Sequence, residues 1–251
     1  MSQILVIDVG NSRMKWGLHG PRGWMVLGVV PNNEIGTLAV RDWQNLPRPV
    51  RVVGVNVAGE AARVRVEGQL ARWRLPIEWL AATDRAGDVA NRYERPAQLG
   101  ADRWASLIAA RRRAAASLTT PQPCVVVNAG TAVTVDALDA DGVFRGGCIL
   151  PGMRLMMRAL AENTAALKVP AGRYEDFPTN TPDAVYTGAL QAVCGAIELM
   201  RLRIGGGSAK ARCYIAGGAA QEIAPHLAPS IEVVDNLVLE GVLVLADTLP
   251  A

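Results

Sequence analysis

One short segment of the chain occurs twice, and this internal repeat is the strongest constraint on the fold. The segment ILVIDVGNSRMKWGL begins at Ile4 and CVVVNAGTAVTVDAL begins at Cys124, so that Gly130 lies 120 positions after Gly10. Each copy is a β-branched apolar run that enters a turn of glycine and small polar residues, a pattern that predicts a buried strand leading into a turn. Aligned without a gap, the two copies predict two similar lobes.

The boundary between the lobes is predicted at residues 119–123, where a short polar and proline-rich stretch precedes the second copy. The first lobe then covers residues 1–119 and the second covers residues 120–251. At about 150 residues per domain, the length alone leaves one large domain or two small lobes open. Half of the residues are apolar, so the chain can bury a core without a disulfide or a metal.

Apolar patterns, caps and glycines predict the remaining elements. Beyond the first strand of each copy, the predicted strands are 14–18, 24–29, 51–57, 133–138, 143–149 and 213–216. The predicted helices are 59–74, 102–118, 154–168, 182–204, 219–227 and 237–249. The start of the helix at 182–204 is the clearest, because Thr181 is suited to cap it and Pro182 suits its first turn.

Charge and composition exclude several classes of protein. The chain has 26 Lys and Arg against 23 Asp and Glu, a net charge of +3 that is spread along the sequence, which argues against nucleic acid as a partner. No stretch of about 18 uncharged apolar residues predicts a membrane span, and the N-terminus has no signal-peptide pattern. The four cysteines form no C-x-x-C pair. We therefore expect a cytoplasmic protein that binds neither nucleic acid nor membrane.

The first turn has the composition of a phosphate-binding turn. Asp8 ends the strand, and Gly10 with the small residues after it leaves room for phosphate oxygens to approach backbone N–H groups. Asp8 is suited to hold Mg²⁺ through water. Asn11 and Ser12 are suited to donate hydrogen bonds, and Lys15 to neutralise charge. An aspartate and a glycine are also common in turns without any ligand, and this alternative stays open.

Two further glycine segments follow predicted strands. Gly130 and Thr131 form the equivalent turn of the second copy and supply a second set of small donors. Gly217 and Gly218 lie between a predicted strand and a short helix. Glycines at that place permit a nucleotide base or ribose to approach closely, although a tight strand-to-helix turn explains them equally well.

The order of these three segments resembles the actin-like ATPase superfamily. The segments are DVGN at residues 8–11, NAGT at residues 128–131 and AGG at residues 216–218. The resemblance implies an α/β fold of two duplicated RNase H-like lobes of the actin-like ATPase (ASKHA) type, with a cleft between them.

Within that superfamily the chain resembles type III pantothenate kinase along almost its whole length. The segments that carry the resemblance are DVGNSRMK at 8–15, GADR at 100–103 with Tyr93 before it, GGCILPGM at 146–153, NTPDAV at 180–185 and the late AGG. The resemblance implies that ATP phosphorylates the primary hydroxyl of pantothenate to give 4′-phosphopantothenate, the first step of coenzyme A synthesis. It also implies a homodimer.

The resemblance assigns roles to matching residues. Implied to contact ATP are Asp8, Val9, Gly10, Asn11, Ser12, Arg13, Met14, Lys15 and Thr131. Implied to contact pantothenate are Tyr93, Gly100, Ala101, Asp102, Arg103 and Thr181. Asp102 is the implied general base, and a carboxylate that accepts the proton of the attacking hydroxyl is a recurrent part of phosphoryl transfer. Arg103 suits a forked contact with the carboxylate of pantothenate.

Simpler interpretations of three of these residues stay open. Asp102 is also suited to cap the helix that follows it, Thr181 to cap its own helix, and Tyr93 to pack on the surface.

One residue departs from the family pattern. Asn128 stands where the family usually carries an aspartate that is linked to a monovalent cation, potassium or ammonium. The resemblance implies a monovalent cation as a cofactor, but the amide at residue 128 keeps an oxygen ligand and removes a full charge, so cation affinity and dependence stay open. Two alternatives to the pantothenate kinase are a kinase of a sugar or another small alcohol on the same fold, and a regulatory accessory protein without turnover.

Overall fold

The computed structural model describes residues 3–117, 120–164, 167, 170–207 and 211–248. The chain divides into two compact units, which we call unit 1 (residues 1–112 and 237–251) and unit 2 (residues 113–236). These units differ from lobes of 1–119 and 120–251 in two ways. The boundary falls inside a helix at residue 112, and the C-terminal segment belongs to unit 1.

The described residues of unit 1 form a five-stranded sheet, two short strands outside that sheet and three helices, the third of which is Leu237–Thr248. Its elements are β1 (Ile4–Val9), β2 (Arg13–Gly20), β3 (Gly23–Pro31), β4 (Arg51–Asn56), α1 (Glu60–Leu70), β5 (Glu78–Trp79), β6 (Arg85–Ala86), β7 (Val89–Asn91) and α2 (Ala101–Ser117), which continues past the unit boundary. Short 3₁₀ turns occupy Asn32–Thr37, Ala71–Trp73 and Pro96–Gln98. The sheet has the order β3-β2-β1-β4-β5, with β1 antiparallel to β2 and parallel to β4.

Unit 2 repeats this plan. Its elements are β8 (Cys124–Ala129), β9 (Ala132–Leu138), β10 (Val143–Pro151), α3 (Met153–Asn163), α4 (Thr181–Ile204), β11 (Arg212–Ala216), α5 (Ala220–Ile223) and β12 (Ile231–Val233). A 3₁₀ turn covers Ala224–His226. Within the unit the strands lie in the order β10-β9-β8-β11-β12, with β8 antiparallel to β9 and parallel to β11.

The strand order confirms that the fold is duplicated, with one correction to the ungapped alignment. β1 and β8 keep the offset of 120 over their whole length. In the next strand the offset falls by one, because Asp8 pairs with Lys15 whereas Asn128 pairs with Thr134. The second turn is therefore one residue shorter than the first. A slip of one residue reverses which residues of a strand face the core, and the buried Met14 and Trp16 match the buried Val133 and Val135 only at an offset of 119, which an ungapped comparison misses.

The last helix, α6 (Leu237–Thr248), lies in unit 1, where it packs on β1, β2 and β4. Its apolar residues predict that it is buried, but the sequence does not say against which sheet. Parts of three predicted helices lie outside the described residues. These are residue 249 of the 237–249 helix, residue 118 of the 102–118 helix, and residues 165, 166 and 168 of the 154–168 helix. The last of these helices ends at Asn163.

Alternate residues of the central strands form the two cores. In unit 1, Leu5, Ile7 and Val9 face a cluster that contains Trp16, Trp43 and Trp73. In unit 2, Val125, Val127 and Ala129 face α3 and α4. Asp8 and Asn128 belong to the other alternating set of residues in β1 and β8, which lies on the opposite face of each strand, and they occupy equivalent positions near the strand ends. Among the described residues, no helix has the length and apolar character needed to span a membrane.

Candidate active site

The first glycine turn joins β1 to β2 and exposes its polar residues. The Gly10 N–H donates to the carbonyl of Arg13 at 3.1 Å, which closes the turn. Asn11, Ser12 and Arg13 are exposed. The side chains of Val9 and Met14 are fully buried in the core of unit 1, so a ligand at this turn can meet only their backbone.

Asn32 supports this turn, a role that sequence reasoning missed. Its side-chain amide donates to the carbonyls of Gly10 at 2.8 Å and Asn11 at 2.9 Å, and its backbone N–H donates to the carbonyl of Ser12 at 3.1 Å. Three carbonyls of the turn are thereby engaged from one side. The residues are separated by about twenty positions, and only the register of β2 with β3 brings them together.

Asp8 has an unusual environment at the end of β1. Burial, and after it the negative charge of Asp102, raise the pKa of its carboxyl, and Lys15, its partner on β2, lowers it; the net result is a pKa of about 7. A carboxyl with a pKa near neutrality beside a second carboxylate favours the binding of a cation, because a cation relieves both the burial and the repulsion.

Asp102 lies in the first turn of α2. The Trp104 N–H donates to the carbonyl of Gly100 at 3.0 Å, so the helix begins from Gly100, and Asp102 is not its cap. The Asp102 carboxylate accepts the N–H of Arg103 at 2.8 Å. Burial raises the pKa of Asp102, and the N–H and charge of Arg103 only partly oppose this. The result is a carboxylate of increased basicity.

Arg103 is almost fully buried, with 5% of its surface exposed. Its Nη1 donates to the hydroxyl oxygen of Tyr93 at 2.9 Å, and its guanidinium carbon lies 5.6 Å from the centre of the Tyr93 ring. Tyr93 is therefore not merely packed on the surface. A buried guanidinium that is already oriented is a strong binding group for a planar anion such as a carboxylate.

The second glycine turn joins β8 to β9 in unit 2. The Gly130 N–H donates to the carbonyl of Ala132 at 3.0 Å, and both Gly130 and Thr131 are exposed. Asn128 is half-buried at the end of β8. The turn thus presents a small, accessible surface with a hydroxyl.

Two glycines from separate segments support the second turn. The Gly152 N–H donates to the carbonyl of Thr131 at 2.9 Å. Gly217, at φ +103°, lies so close to the backbone of Ala129 that a side chain at this position would overlap it. The Ala219 N–H also donates to the carbonyl of Ala129 at 3.1 Å. The GGCILPGM and AGG segments therefore meet at the same turn.

Thr181 is exposed at the first position of α4 and is not its cap. Asn180 is the cap, since its side chain accepts the N–H of Asp183 at 3.0 Å. Its extended backbone makes Asn180 the half-helical residue that a cap requires. Thr181 lies on the wall of an apolar groove of about 970 Å³ between α3 and α4.

The structure groups the predicted residues within each unit. Unit 1 brings together Tyr93 and Arg103, and couples the charges of Asp8 and Asp102. Unit 2 places Asn128 and Thr131 at one turn. Among the described residues, no group of three or more His, Cys, Asp or Glu side chains is arranged to hold a metal. A cation near Asp8 would therefore need most of its ligands from a bound phosphate and water.

Comparison with solved structures shows the fold. A Baf family protein from Campylobacter jejuni matches with a TM-score of 0.61 at 18% identity, covering 94% of each chain. Component A of (R)-2-hydroxyglutaryl-CoA dehydratase from Acidaminococcus fermentans matches with a TM-score of 0.57 at 12% identity, over 98% of this chain and 96% of that one. MreB5 of Spiroplasma citri bound to ADP has a TM-score of 0.50 at 8% identity, over 99% and 97%. The fold is that of the actin-like ATPases.

Comparison of sequences is more specific. A protein of Leptothrix cholodnii named type III pantothenate kinase is 44% identical over 96% of this chain and 95% of its own length. The protein of the same name from Nitrosospira multiformis is 42% identical over 97% of this chain and 90% of its own length. The family model for type III pantothenate kinase matches residues 4–203, which include both glycine turns, Tyr93, Asp102 and Arg103. The chain therefore belongs to the type III pantothenate kinase family, whose members are ATP-using kinases.

Proposed function

We propose that this protein transfers the γ-phosphoryl group of ATP to the primary hydroxyl of pantothenate, giving ADP and 4′-phosphopantothenate. The observation that best supports this is the pair Asp102–Arg103, in which a carboxylate of raised pKa adjoins a buried, oriented guanidinium. A kinase acting on an alcohol that also carries a carboxylate needs both groups. Neutral sugars need only the first.

Asp102 is proposed as the general base. The proton of the pantothenate hydroxyl passes to its carboxylate as the hydroxyl oxygen bonds to the γ-phosphorus, and the bond from that phosphorus to the bridging oxygen of ADP breaks. A base works best when its pKa lies near the working pH. Burial moves the pKa of Asp102 in that direction.

Arg103 is proposed to bind the carboxylate of pantothenate. Its planar guanidinium can donate two parallel hydrogen bonds to a carboxylate. Tyr93 already fixes one face and one nitrogen of this group, so little side-chain entropy is lost on binding. Gly100 and Ala101 would contact the substrate through their backbone, and Thr181 through its exposed hydroxyl.

The two glycine turns are proposed to bind ATP. In the first turn the exposed residues 11–13 offer N–H groups and side chains to the phosphates, and Lys15 adds positive charge. In the second turn Thr131 offers a hydroxyl. Backbone donors suit phosphate without a large net positive charge, which agrees with a net charge of only +3.

The surroundings of Asp8 fit Mg²⁺. Burial and the charge of Asp102 both raise the pKa of its carboxyl, which means that both destabilise the ionised form. A bound cation stabilises that form. Mg²⁺ bound through water and ATP phosphates requires only one or two protein carboxylates, and it would neutralise charge on the transferred phosphoryl group.

A monovalent cation, potassium or ammonium, would meet neutral oxygens in unit 2. Asn128 supplies an amide, and Thr134, which faces it across β8 and β9, has a buried hydroxyl with no hydrogen-bond partner among the described residues. Neutral ligands attract a cation less than a carboxylate does. We therefore expect activity with weak dependence on these cations, measured by titrating each one. Asn128→Asp should strengthen the dependence, and an unchanged titration would exclude this site.

A homodimer in the cytoplasm is proposed as the working form. The groove between α3 and α4 is lined by apolar residues such as Leu155, Met156 and Leu160, and a second copy would remove this surface from water. Thr181 on the groove wall would then lie beside the partner. Light scattering should give twice the mass of the chain at micromolar concentration, and a monomer would exclude this arrangement.

The test of the proposed function is a product assay. Purified protein with ATP, Mg²⁺, potassium and pantothenate should yield 4′-phosphopantothenate, identified by mass spectrometry. Pantothenate should also be preferred over a panel of neutral sugars and small alcohols. Preference for a neutral sugar would favour the sugar kinase alternative. ATP binding without any product, across a range of cations, would favour an accessory protein.

A further inference from the structure

Asn91, at the end of β7, is a buried polar residue outside the segments that carry the family resemblance. Only 7% of it is exposed. Its side-chain amide donates to the carbonyls of Thr83 at 3.1 Å and Pro96 at 3.2 Å, and its Oδ1 accepts the N–H of Tyr93 at 3.0 Å. Its own N–H donates to the carbonyl of Asp84 at 2.9 Å. One side chain therefore ties together three points of the segment 83–96.

Tyr93 is the point of this segment that reaches the substrate-binding arginine. Its N–H is fixed by Asn91, and its hydroxyl oxygen accepts Nη1 of Arg103 at 2.9 Å. The guanidinium also lies over the Tyr93 ring. A path of direct contacts thus runs from Asn91 through Tyr93 to Arg103, all within unit 1.

We propose that Asn91 is a positioning residue for the acceptor substrate, which fixes Tyr93 so that the Arg103 guanidinium is oriented before a carboxylate arrives. This inference rests on the proposed function in one respect, that the substrate carries the carboxylate. A guanidinium with a fixed orientation binds more tightly than a mobile one, because the cost of ordering it has been met during folding.

The chemistry of the site requires an amide. Asparagine supplies two donors and one acceptor on a short side chain, and the three backbone groups around it need that combination. Asn91→Asp keeps the shape and the acceptor but places a carboxylate against two carbonyls. Asn91→Ala leaves the carbonyls of Thr83 and Pro96 and the N–H of Tyr93 without this partner. Asn91→Ser is milder, because a hydroxyl retains an acceptor.

Asp139 offers a matched control in unit 2. Its Oδ1 accepts the N–H groups of Asp141 at 3.1 Å and Val143 at 2.8 Å, a similar set of side-chain to backbone bonds in a loop. It follows β9, at the opposite end of that strand from Thr131. Asp139→Ala should therefore lower thermal stability as a loop defect does, without changing the KM for either substrate.

The experiment measures KM and kcat for both substrates in the wild type, the three Asn91 variants and Asp139→Ala. We expect Asn91→Ala and Asn91→Asp to raise the KM for pantothenate about tenfold, because they weaken the charge-assisted contact of Arg103 with the substrate carboxylate. The KM for ATP should change less than about twofold. Asn91→Ser should be intermediate. Equal changes in both KM values, or changes that track the loss of Tm as in Asp139→Ala, would overturn the proposal.

Tyr93→Phe tests the path itself and remains informative if the Asn91 variants fold poorly. It removes the acceptor for Arg103 but keeps the ring, so the KM for pantothenate alone should rise. In the Tyr93→Phe background, Asn91→Ser should lose most of its effect on that KM, because the two changes act on the same path. Fully additive effects would exclude the path.

A readout without substrate separates this proposal from the proposed function. The side-chain N–H signal of Arg103 in ¹⁵N NMR, assigned with Arg103→Lys, should be sharp and slow to exchange in the wild type. In Asn91→Ser it should broaden, and in Asp139→Ala it should not. An unchanged signal contradicts the positioning role, whereas a changed signal without pantothenate turnover by the wild type contradicts only the proposed substrate.

Discussion

The N–H of Gly152, at the start of α3, donates to the carbonyl of Thr131, so a residue from the loop after β10 holds the second glycine turn in place. The space for a side chain at residue 152 is already filled by the carbonyls of Gly130 and Thr131. The glycine is required here by this close approach, because its backbone at φ −64° is open to any residue.

Gly152→Ala is therefore expected to displace the second turn. If that turn binds ATP phosphates, the KM for ATP should rise about tenfold or more while the KM for pantothenate changes little, and overpacking should cost about 1–3 kcal/mol of unfolding free energy. Steady-state kinetics and urea unfolding measure both effects.

Gly195→Ala is the control for this substitution. Gly195 is exposed within α4 and has open space at its Cβ position, so alanine should stabilise the helix by about 0.5–1 kcal/mol without changing either KM. A Gly152→Ala enzyme with the wild-type KM for ATP would show that the turn does not contact the nucleotide.

Asp102→Asn should lower kcat by about 10² or more, the lower range for loss of a general base. The amide oxygen can still accept the Arg103 N–H that the carboxylate accepts at 2.8 Å, so the KM for ATP should stay near its wild-type value and Tm should not fall. Asp88→Asn, which removes the same charge from an exposed ion pair with Arg111, should leave kcat unchanged. A kcat for Asp102→Asn within threefold of the wild type would remove this residue from the role of base.

Asp8 predicts how stability depends on pH in the absence of nucleotide. Its pKa rises from 3.8 to about 7 on folding, so between these values the folded protein keeps a proton that the unfolded chain has lost. The unfolding free energy should therefore fall as pH rises through this window, by up to about 1.4 kcal/mol per pH unit from this one group. Below the window the contribution is fully present, and above about pH 7 it is lost.

Urea unfolding between pH 5 and pH 8, on the wild type and on Asp8→Asn, isolates this effect. The variant should lack the Asp8 component of the slope and should gain stability relative to the wild type at the upper end. In Asp102→Asn the wild-type transition should move to lower pH, because the charge of Asp102 contributes to the raised pKa of Asp8. Identical slopes in wild type and Asp8→Asn would contradict the prediction.

The strands of the two copies were predictable because buried central strands have distinctive β-branched runs, as in β1 and β8. The short strands β5, β6, β7 and β12 were not predicted, since two or three residues carry no periodicity. The sequence also did not predict that α6 packs on the sheet of unit 1, because the apolar composition of a helix indicates that it is buried but not which sheet it packs against.

The residues of the candidate site also fall into those that were predicted and those that were not. The residue types of the first turn predict a role for Asp8, and the resemblance to type III pantothenate kinase predicts the roles of Asp102 and Arg103; these roles stay predictions. Asn32 and Asn91 act through bonds to backbone groups, and no side-chain pattern marks such contacts. The sequence analysis predicted Thr181 as the cap of α4, whereas the cap is Asn180. Both residue types are good caps, and only the backbone geometry decides between them.

Arg103→Lys should separate recognition of the substrate from catalysis. Lysine keeps the positive charge but loses the planar geometry of the guanidinium and its stacking on Tyr93. Arg103 as a whole is only 5% exposed, and its guanidinium donates to the Tyr93 hydroxyl at 2.9 Å. The KM for pantothenate should rise about tenfold or more, the effect of losing a charge-assisted pair of hydrogen bonds, while the KM for ATP stays within about twofold. Arg111→Lys, on the same helix but in an ion pair with the exposed Asp88, should change neither value. If Arg103 instead binds phosphate, the KM for ATP will rise with that for pantothenate. If the substrate is a neutral alcohol, neither KM will depend on the guanidinium of Arg103. In that case neither the wild type nor the variant will prefer an anionic acceptor.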